Sequence, residues 1–280
     1  MDARTTRYKR KFALFVYSKY QSIMKRKLIL LASMLLCVIT INAETISGTC
    51  GADGSYVNWS LDLTSGLFTV RGTGAMRDYT FHTECPWHQY RRNIEVLNIV
   101  PGITEIGRLN FASCNNLENV VIQEGVTLIR GEAFANCTSL NFISFPNTLT
   151  RIAPSAFAQC TSLSSLHLPS SLTNITTDAF ANCSALTYII CEAITPPTLS
   201  SGVFTEVNKS IPLYVPIESV NLYKNAYGWK DFYNIHSLQE IPTAISTVAK
   251  EETYKKIFHN GQVFVLSNER TYNMQGQQVK

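Results

Sequence analysis

Two histidines, a glutamate and a cysteine lie within seven residues of one another, in the order H-x-E-C-x2-H. His82, Glu84, Cys85 and His88 are all residue types that can bind zinc. A structural zinc site normally takes four ligands from two paired half-sites, and the sequence has no second half-site of this kind. We therefore expect no metal here. The four residues are interpreted as part of a terminal cap, in which Cys85 is either free or bridged to Cys50.

Other residues that could do chemistry also lack the partners that their chemistry needs. Gly72-Thr73-Gly74 begins a dinucleotide-binding pattern, but Arg77 stands where the third glycine is required. His167 has no acid or nucleophile motif beside it, and the chain has no G-x-S-x-G, H-E-x-x-H or phosphate-binding loop. The sequence therefore predicts a protein that is not an enzyme and that has no cofactor.

Four of the cysteines recur every 23 residues, together with three apolar columns. The columns are Ile106, Ile129, Ile152 and Ile175; Phe111, Phe134, Phe157 and Phe180; Cys114, Cys137, Cys160 and Cys183; and Leu117, Leu140, Leu163 and Leu186. One such unit is too small to bury its own apolar side, so neighbouring units must stack. The columns therefore predict a solenoid.

The cysteine column is expected to be structural. A small side chain at a buried bend packs as a hydrophobe, and its thiol can make weak hydrogen bonds to the backbone. Equivalent side chains in stacked turns point the same way, which does not suit the dihedral angle of a disulfide. We therefore expect Cys114, Cys137, Cys160 and Cys183 to be buried free thiols.

A short strand is predicted after each of these cysteines. Residues 117–122, 140–145, 163–168 and 186–191 are apolar at their first, fourth and sixth positions, and residues 94–99 carry a truncated version. Stacking adds these strands side by side in a parallel sheet, about 4.8 Å apart. The predicted fold class is an α/β-type solenoid dominated by β structure.

The outward side of these strands is the predicted binding face. Successive side chains of a strand alternate, so the third and fifth residues should point away from the core. Exposed aromatic and aliphatic side chains with a polar rim mark interaction sites, although a cap or tail could also cover such a stripe. The candidate residues are Asn119, Val121, Phe142, Ser144, Ser165, His167, Tyr188 and Ile190, and Val96 and Asn98 extend the stripe.

Non-repeating segments at both ends of the repeats (94–193) are predicted to cap the stack. Within residues 44–93, the alternation in 57–74 around Thr64-Ser65-Gly66 predicts a β-hairpin. Within residues 194–239, a strand at 213–215, a helix at 219–226 and the bulky Trp229, Phe232 and Ile235 predict a mixed C-terminal cap.

Residues 1–43 have the pattern of a secretory signal peptide. Basic residues at 25–27 precede an apolar run at 28–41 that is too short to span a bilayer, and Ala43 ends a small-residue cleavage site. Residues 1–23 are interpreted either as an over-extended start or as a long n-region of the signal peptide, and Met24 is the expected true start. Without residues 1–43 the chain has 15 basic and 19 acidic residues, a net charge of −4. This balance argues against nucleic-acid binding.

The C-terminal end is expected to form a separate small element. Residues 240–252 are linker-like, and residues 253–280 alternate short apolar stretches with turn signals at Asn260-Gly261 and Gln275-Gly276. This β tail resembles an abbreviated C-terminal sorting domain of the type IX secretion system. The alternative is a small β module that packs on the solenoid.

The repeat as a whole resembles a known family. The pattern I-x4-F-x2-C-x2-L-x2-[VIL]-x-[IFLC] occurs in all four turns and is similar to the BspA-like leucine-rich repeats of surface and secreted proteins from Gram-negative anaerobes. "GTGAMRDY" (72–79) and "CPWHQYRRNIEVLNIVPGITEIG" (85–107) resemble the family's N-terminal segment, and residues 195–204 and 213–235 its C-terminal segment. The resemblance implies a curved leucine-rich-repeat stack that acts in adhesion and has no shared catalytic residues.

These observations lead to two functional hypotheses. The first is an exported, secreted or cell-surface protein that binds a host or bacterial surface protein or glycan through its strand face. The second is a structural or accessory spacer of a surface assembly, attached through the C-terminal tail. Neither involves a transmembrane span.

Overall fold

The computed structural model describes residues 44–242, and it describes the backbone of 254–259, 262–267 and 271–272 as well. The predicted signal peptide, most of the predicted linker, and the turns at 260–261 and 275–276 lie outside the described residues. Within the described part of the chain, every helix is too short or too polar to cross a bilayer.

Short strands make up most of the described structure. In chain order they are β1 (Thr45–Thr49), β2 (Tyr56–Asp62), β3 (Leu67–Ala75), β4 (Val96–Ile99), β5 (Ile103–Ile106), β6 (Asn119–Ile122), β7 (Leu128–Ile129), β8 (Phe142–Ser144), β9 (Arg151–Ile152), β10 (Ser165–Leu168), β11 (Asn174–Ile175), β12 (Tyr188–Cys191), β13 (Thr198–Leu199), β14 (Pro212–Val215), β15 (Asn234–Ser237), β16 (Tyr254–His259), β17 (Gln262–Ser267) and β18 (Thr271–Tyr272).

Helical structure is sparse and lies mostly near the ends of the stack. The α-helix α1 covers Val220–Asn225. Single-turn and short 3₁₀ helices cover His82–Glu84, His88–Asn93, Ile217–Ser219, Trp229–Asp231 and Leu238–Glu240.

The repeats stack as predicted, with parallel strands. β4, β6 and β8 follow one another in parallel, and so do β10, β12, β14 and β15. The prediction of a β-dominated solenoid with 23-residue turns is therefore confirmed. Because β14 and β15 continue the parallel stack, the strand column extends past the last repeat recognised in the sequence.

A second column of parallel strands was not predicted. β5, β7, β9, β11 and β13 pair in succession around the isoleucine column, and four of the five have two residues each. β3 belongs to both columns, because its first half pairs with β4 and its last residues pair with β5. The same strand therefore starts both ladders.

The N-terminal cap is an antiparallel sheet. β2 and β3 form the predicted hairpin around Thr64-Ser65-Gly66, and β1, which the sequence pattern did not reveal, pairs with β2. The side chain of Asp62 accepts hydrogen bonds from the backbone N–H groups of Thr64 and Ser65, at 2.8 and 3.2 Å. This is a local turn in which the carboxylate replaces a backbone acceptor.

Aromatic rings form a continuous spine through the stack. Trp87, the four phenylalanines of the repeat and Phe204 stack in sequence, with ring centroids 5.0–5.8 Å apart and interplanar angles of at most 20°. At the C-terminal end Trp229 and Phe232 pack against Phe204 and close the spine. Burial of these rings supplies much of the hydrophobic contact between turns.

The cysteine column ties each turn to the previous one. The thiols of Cys137, Cys160 and Cys183 donate hydrogen bonds of 3.1–3.3 Å to the carbonyl oxygens of Phe111, Phe134 and Phe157. These cysteines are fully buried. Each of these carbonyl oxygens also accepts the backbone N–H of the cysteine in its own turn, so the thiol is a second donor that links two neighbouring turns.

Each turn also contains two bends in the left-handed backbone region. The residues are Leu109 and Ser113, Glu132 and Asn136, Ser155 and Gln159, and Asp178 and Asn182, with φ between 55 and 62°. Non-glycine residues take this conformation at a cost of roughly 1–2 kcal/mol. The stacking of adjacent turns must offset that cost, because the bends recur at the same place in every turn.

The C-terminal segment folds as its pattern predicts. α1 buries Tyr223 and half-buries Val220, and Trp229, Phe232 and Ile235 are all buried. The hydroxyl of Tyr223 donates to the carbonyl oxygen of Ala193 at 2.8 Å, which joins the helix to the end of β12. Farther on, β16, β17 and β18 form a separate antiparallel sheet.

Candidate binding face on the stacked strands

The strand register places the outward side chains in rows that run across the sheet. In the first part of the stack the rows are Val96–Asn119–Phe142 and Asn98–Val121–Ser144. In the second part Ser165 pairs with Tyr188, and His167, Ile190, Tyr214 and His236 form one row. Neighbouring members of a row are about 4.8 Å apart.

The inward side of the same strands forms the core. Leu166, Ile189 and Leu213 occupy equivalent positions on β10, β12 and β14, and all three are fully buried in the main hydrophobic cluster. Val96, Val121 and Phe142 instead form a second, separate cluster with Leu67. The two clusters lie on opposite sides of the strands, as the alternation of side chains requires.

The outward residues are much less accessible than the expected exposed stripe. Asn119, Val121, Phe142 and Ile190 are only 2–5% exposed, and Ser144, Ser165, His167 and Tyr188 are half-buried. The expectation of exposed aromatic side chains was therefore wrong for Phe142. Parallel strands bring outward side chains close enough to cover one another, so Phe142, Val121 and Val96 pack together instead of standing free.

Polar groups of the first part of this face are also satisfied. The side-chain amide of Gln123 donates to the side-chain oxygen of Asn98 at 3.0 Å, and both residues are buried. A buried amide pair of this kind holds its side chains in one orientation. The first part of the face is therefore packed rather than open.

Two histidine–glutamate pairs flank the row on the second part of the face. Nε2 of His167 lies 2.9 Å from Oε1 of Glu192, and Nδ1 of His236 lies 3.1 Å from Oε2 of Glu240. The hydrogen bond from His167 lowers the pKa of Glu192, and the backbone N–H of Ser237 together with His236 lowers the pKa of Glu240. All four side chains are partly exposed.

Between the two pairs lie Ile190 and Tyr214. The ring of Tyr214 is 5.9 Å from the ring of His236, and burial raises the pKa of the Tyr214 hydroxyl. The row therefore has an apolar centre and two partly exposed polar ends. Because Ile190 and Tyr214 are buried, only the polar ends of the row are available to exchange hydrogen bonds with a partner.

Sequence analysis missed Glu192, Tyr214, His236 and Glu240. A signal for two of them was present, because Tyr214 and His236 continue the column of His167 and Ile190 at spacings of 24 and 22 residues instead of 23. The strict 23-residue spacing ends after β12, and a spacing that varies by one residue includes both Tyr214 and His236.

The metal-like cluster does not converge on one point. The Glu84 carboxylate accepts hydrogen bonds from the backbone N–H groups of Thr80 and Phe81, while the Cys85 thiol is buried and donates to the carbonyl oxygen of Asn110 at 3.4 Å. In the part of the chain that the structure describes, no three His, Cys, Asp or Glu side chains are placed to hold a metal ion.

All seven cysteines of residues 44–242 are free buried thiols, including Cys50 and Cys85. The structure thus has no disulfide between Cys50 and Cys85, which was one of the two alternatives expected for the N-terminal cap. Burial raises the pKa of Cys50, Cys85 and Cys183 to about 12. Such thiols are poor nucleophiles, because the reactive thiolate is disfavoured.

Comparison with known families agrees with this geometry. Residues 88–212 match the family model described as "BspA type Leucine rich repeat region", in six copies. The stack is a BspA-type leucine-rich repeat. Six copies exceed the four full turns recognised in the sequence, and the matched range includes β4 and the start of β14. Leucine-rich-repeat stacks of this family are typically non-enzymatic scaffolds.

Several solved leucine-rich-repeat structures are similar to this BspA-type stack. One from Eubacterium ventriosum is 19% identical and has a TM-score of 0.37; the match covers 69% of this chain and 68% of that protein. One from Bacteroides ovatus is 26% identical, covers 52% and 38%, and has a TM-score of 0.43. A leucine rich cell surface protein from Faecalibacterium prausnitzii is 18% identical, covers 81% and 61%, and has a TM-score of 0.35. No significant match was found among curated proteins.

Proposed function

We propose that the protein is exported and binds a host or bacterial surface protein or glycan through the second part of its strand face. The observation that carries this proposal is the contrast between the two sides of the strands. Inward positions stay apolar in every turn, whereas the outward row of β10, β12, β14 and β15 changes from His to Ile to Tyr to His. A scaffold fixes its inner residues, and specificity resides in the variable surface.

The binding surface is placed on the second part of the face because its polar side chains are partly exposed. His167 and His236 each retain accessible area beside a carboxylate, while Asn119 and Val121 in the first part are buried. Aromatic and charged anchors at the centre and rim of a patch commonly dominate binding energy. The signal-peptide pattern at residues 1–43 supports export to a compartment where such partners occur.

An array of surface proteins and glycans, probed with the purified protein, tests this function. The double variant His167→Ala/His236→Ala should weaken binding to any probe that is captured by at least about tenfold, since loss of one anchor commonly costs more than 1 kcal/mol. Arg151→Ala is the matched control, because Arg151 is exposed on β9 in the other strand column. Equal affinity in the double variant and the control would contradict a site on this face.

The second candidate function is that of a spacer attached through the tail. The three-stranded sheet β16–β18 favours this alternative, because its strands pair with one another and belong to neither strand column. Ending the chain after Glu240 should then release the protein from the cell surface, while the strand-face variants should remain attached. Retention of the truncated chain at the surface would contradict the spacer function.

A further inference from the structure

A small pocket opens at the C-terminal end of the stack, away from the strand-face row. Its volume is about 190 Å³, and Ser200, Thr205, Lys209, Tyr227, Gly228 and Asp231 are among the residues that line it. These residues come from the turn after β13, from the segment before β14, from the loop after α1, and from the 3₁₀ helix Trp229–Asp231.

Glycine allows the walls of the pocket to meet. Gly228 has a φ of 76°, and a Cβ atom on it would lie 2.9 Å from Cδ1 of Leu199. Glycine at this position lets the loop that carries Tyr227 approach β13 without a strained φ and without this contact. The floor of the pocket includes the buried side chains of Val203 and Phe204.

One large aromatic side chain of this pocket is exposed to solvent. Tyr227, which lines the pocket, is 65% exposed. An exposed tyrosine offers a flat apolar face with a negative quadrupole and a polar hydroxyl, which suits the C–H and O–H groups of a sugar ring.

The charges at the pocket do not suit an anion. The Lys209 ammonium donates hydrogen bonds to the carbonyl oxygens of Phe204 and Val207, the latter at 2.9 Å, and lies 5.4 Å above the ring of Phe232. Its pKa is lowered by burial, although the nearby carboxylates of Asp231 and Glu206 oppose this effect. One cation that is already bonded, beside two carboxylates, leaves the pocket without spare positive charge for a phosphate or sulfate.

We propose that this pocket binds one neutral hexopyranose unit, with the sugar ring against Tyr227 and its hydroxyls on Asp231, Ser200 and Thr205. A carboxylate accepts hydrogen bonds from two adjacent hydroxyls, and the serine and threonine hydroxyls can donate or accept. The volume fits one ring, so a longer glycan would present a terminal unit here and leave the rest in solvent. This site is separate from the strand face and does not depend on the function proposed for it.

Saturation-transfer NMR with the purified protein and four sugars tests the proposal. The probes are the methyl glycosides of D-glucose, D-galactose, D-mannose and N-acetyl-D-glucosamine, at millimolar concentration. We expect transfer to at least one of them. Tyr227→Ala and Asp231→Asn should each weaken that binding at least about tenfold, and Tyr56→Ala should not, because Tyr56 is 80% exposed in the N-terminal cap.

Each remaining outcome overturns the proposal. Transfer to none of the four glycosides excludes a hexopyranose site, and unchanged transfer in Tyr227→Ala and Asp231→Asn places the sugar elsewhere. Displacement of the bound glycoside by inorganic phosphate in the wild-type protein would refute the charge argument. Loss of transfer in His167→Ala/His236→Ala, with retention in Tyr227→Ala, would assign the sugar to the strand face instead.

Discussion

On β10 and β12 the core side and the outward side can be compared residue by residue. Leu166 and Ile189 face the core, where they are fully buried beside the aromatic spine and the thiol column. His167 and Ile190, one position further, face outward, where His167 is partly exposed and paired with Glu192. The inner side is apolar along the whole stack, whereas the outer side differs from turn to turn. On each of these strands a core residue and a residue of the candidate site are therefore direct neighbours in the sequence.

Removing one ring of the aromatic spine should have the largest effect. Phe157 is fully buried and stacks between Phe134 and Phe180, at 5.0 and 5.3 Å. Phe157→Ala should lower the free energy of unfolding by about 3–5 kcal/mol, because it leaves a cavity between two turns. His167→Ala, on the outer side, should change it by about 0.5 kcal/mol or less. Denaturant unfolding measures both, and similar losses would abolish the distinction between the two sides.

Alkaline pH should destabilise the protein through the thiol column. Burial raises the pKa of Cys183 to about 12, whereas a thiol in the unfolded chain ionises near 8.5. The folded state therefore holds this proton more tightly, so the stabilisation is complete below pH ~8.5 and is lost as pH rises toward 12. Between pH 8 and 10 one thiol should account for a loss of about 2 kcal/mol.

The variant Cys183→Ala provides the control for the alkaline effect. Its free energy of unfolding should fall by about 2 kcal/mol less than that of the wild-type protein between pH 8 and 10. Iodoacetamide at pH 8 should leave the thiols of residues 44–242 unmodified in the folded protein and should modify them after denaturation. Identical pH profiles for the variant and the wild type would mean that Cys183 ionises at the same pH in the folded and in the unfolded chain. The thiol column would then not be inert.

The outward hydrogen bond between His167 and Glu192 should have the smallest effect. His167 and Glu192 are both partly exposed, so Glu192→Gln should cost about 0.5 kcal/mol or less. Because the pKa of Glu192 is lowered, its contribution is present above the ordinary pKa of a carboxyl group and is lost as pH falls below it. Unfolding of Glu192→Gln at pH 7 and pH 3 measures this difference, which should vanish at the lower pH. If Glu192→Gln lowered the free energy of unfolding as much as Phe157→Ala, the outer pair would be needed for the stability of the fold.

The strand column could be predicted from the sequence because its signal is repeated. Ile, Phe, Cys and Leu keep their spacing over four turns, and each column meets the same surroundings in the next turn. The second strand column escaped prediction because β7, β9, β11 and β13 have two residues each, too few to show an alternation. The left-handed bends also escaped it, since Leu109 and Glu132 are not residue types that favour that conformation.

The candidate sites were harder to predict because accessibility is not a periodic property. Alternation gave the direction of Val121 and Phe142 correctly, but not the packing that buries them. The pocket at the C-terminal end is formed by residues between 199 and 231, outside the regular repeat, and its closure depends on one glycine. Such a site depends on how separate loops meet, which no local pattern records.

The hydrogen bonds of the thiol column join each turn to its immediate predecessor, with the cysteine and its phenylalanine carbonyl always 26 residues apart. Unequal recombination between two copies of the repeat would therefore add or delete one whole turn and leave every remaining junction with the same partners. The number of turns can change in a single genetic event without a new core having to evolve. The length of the stack and the identity of its surface residues can therefore change independently of each other during evolution.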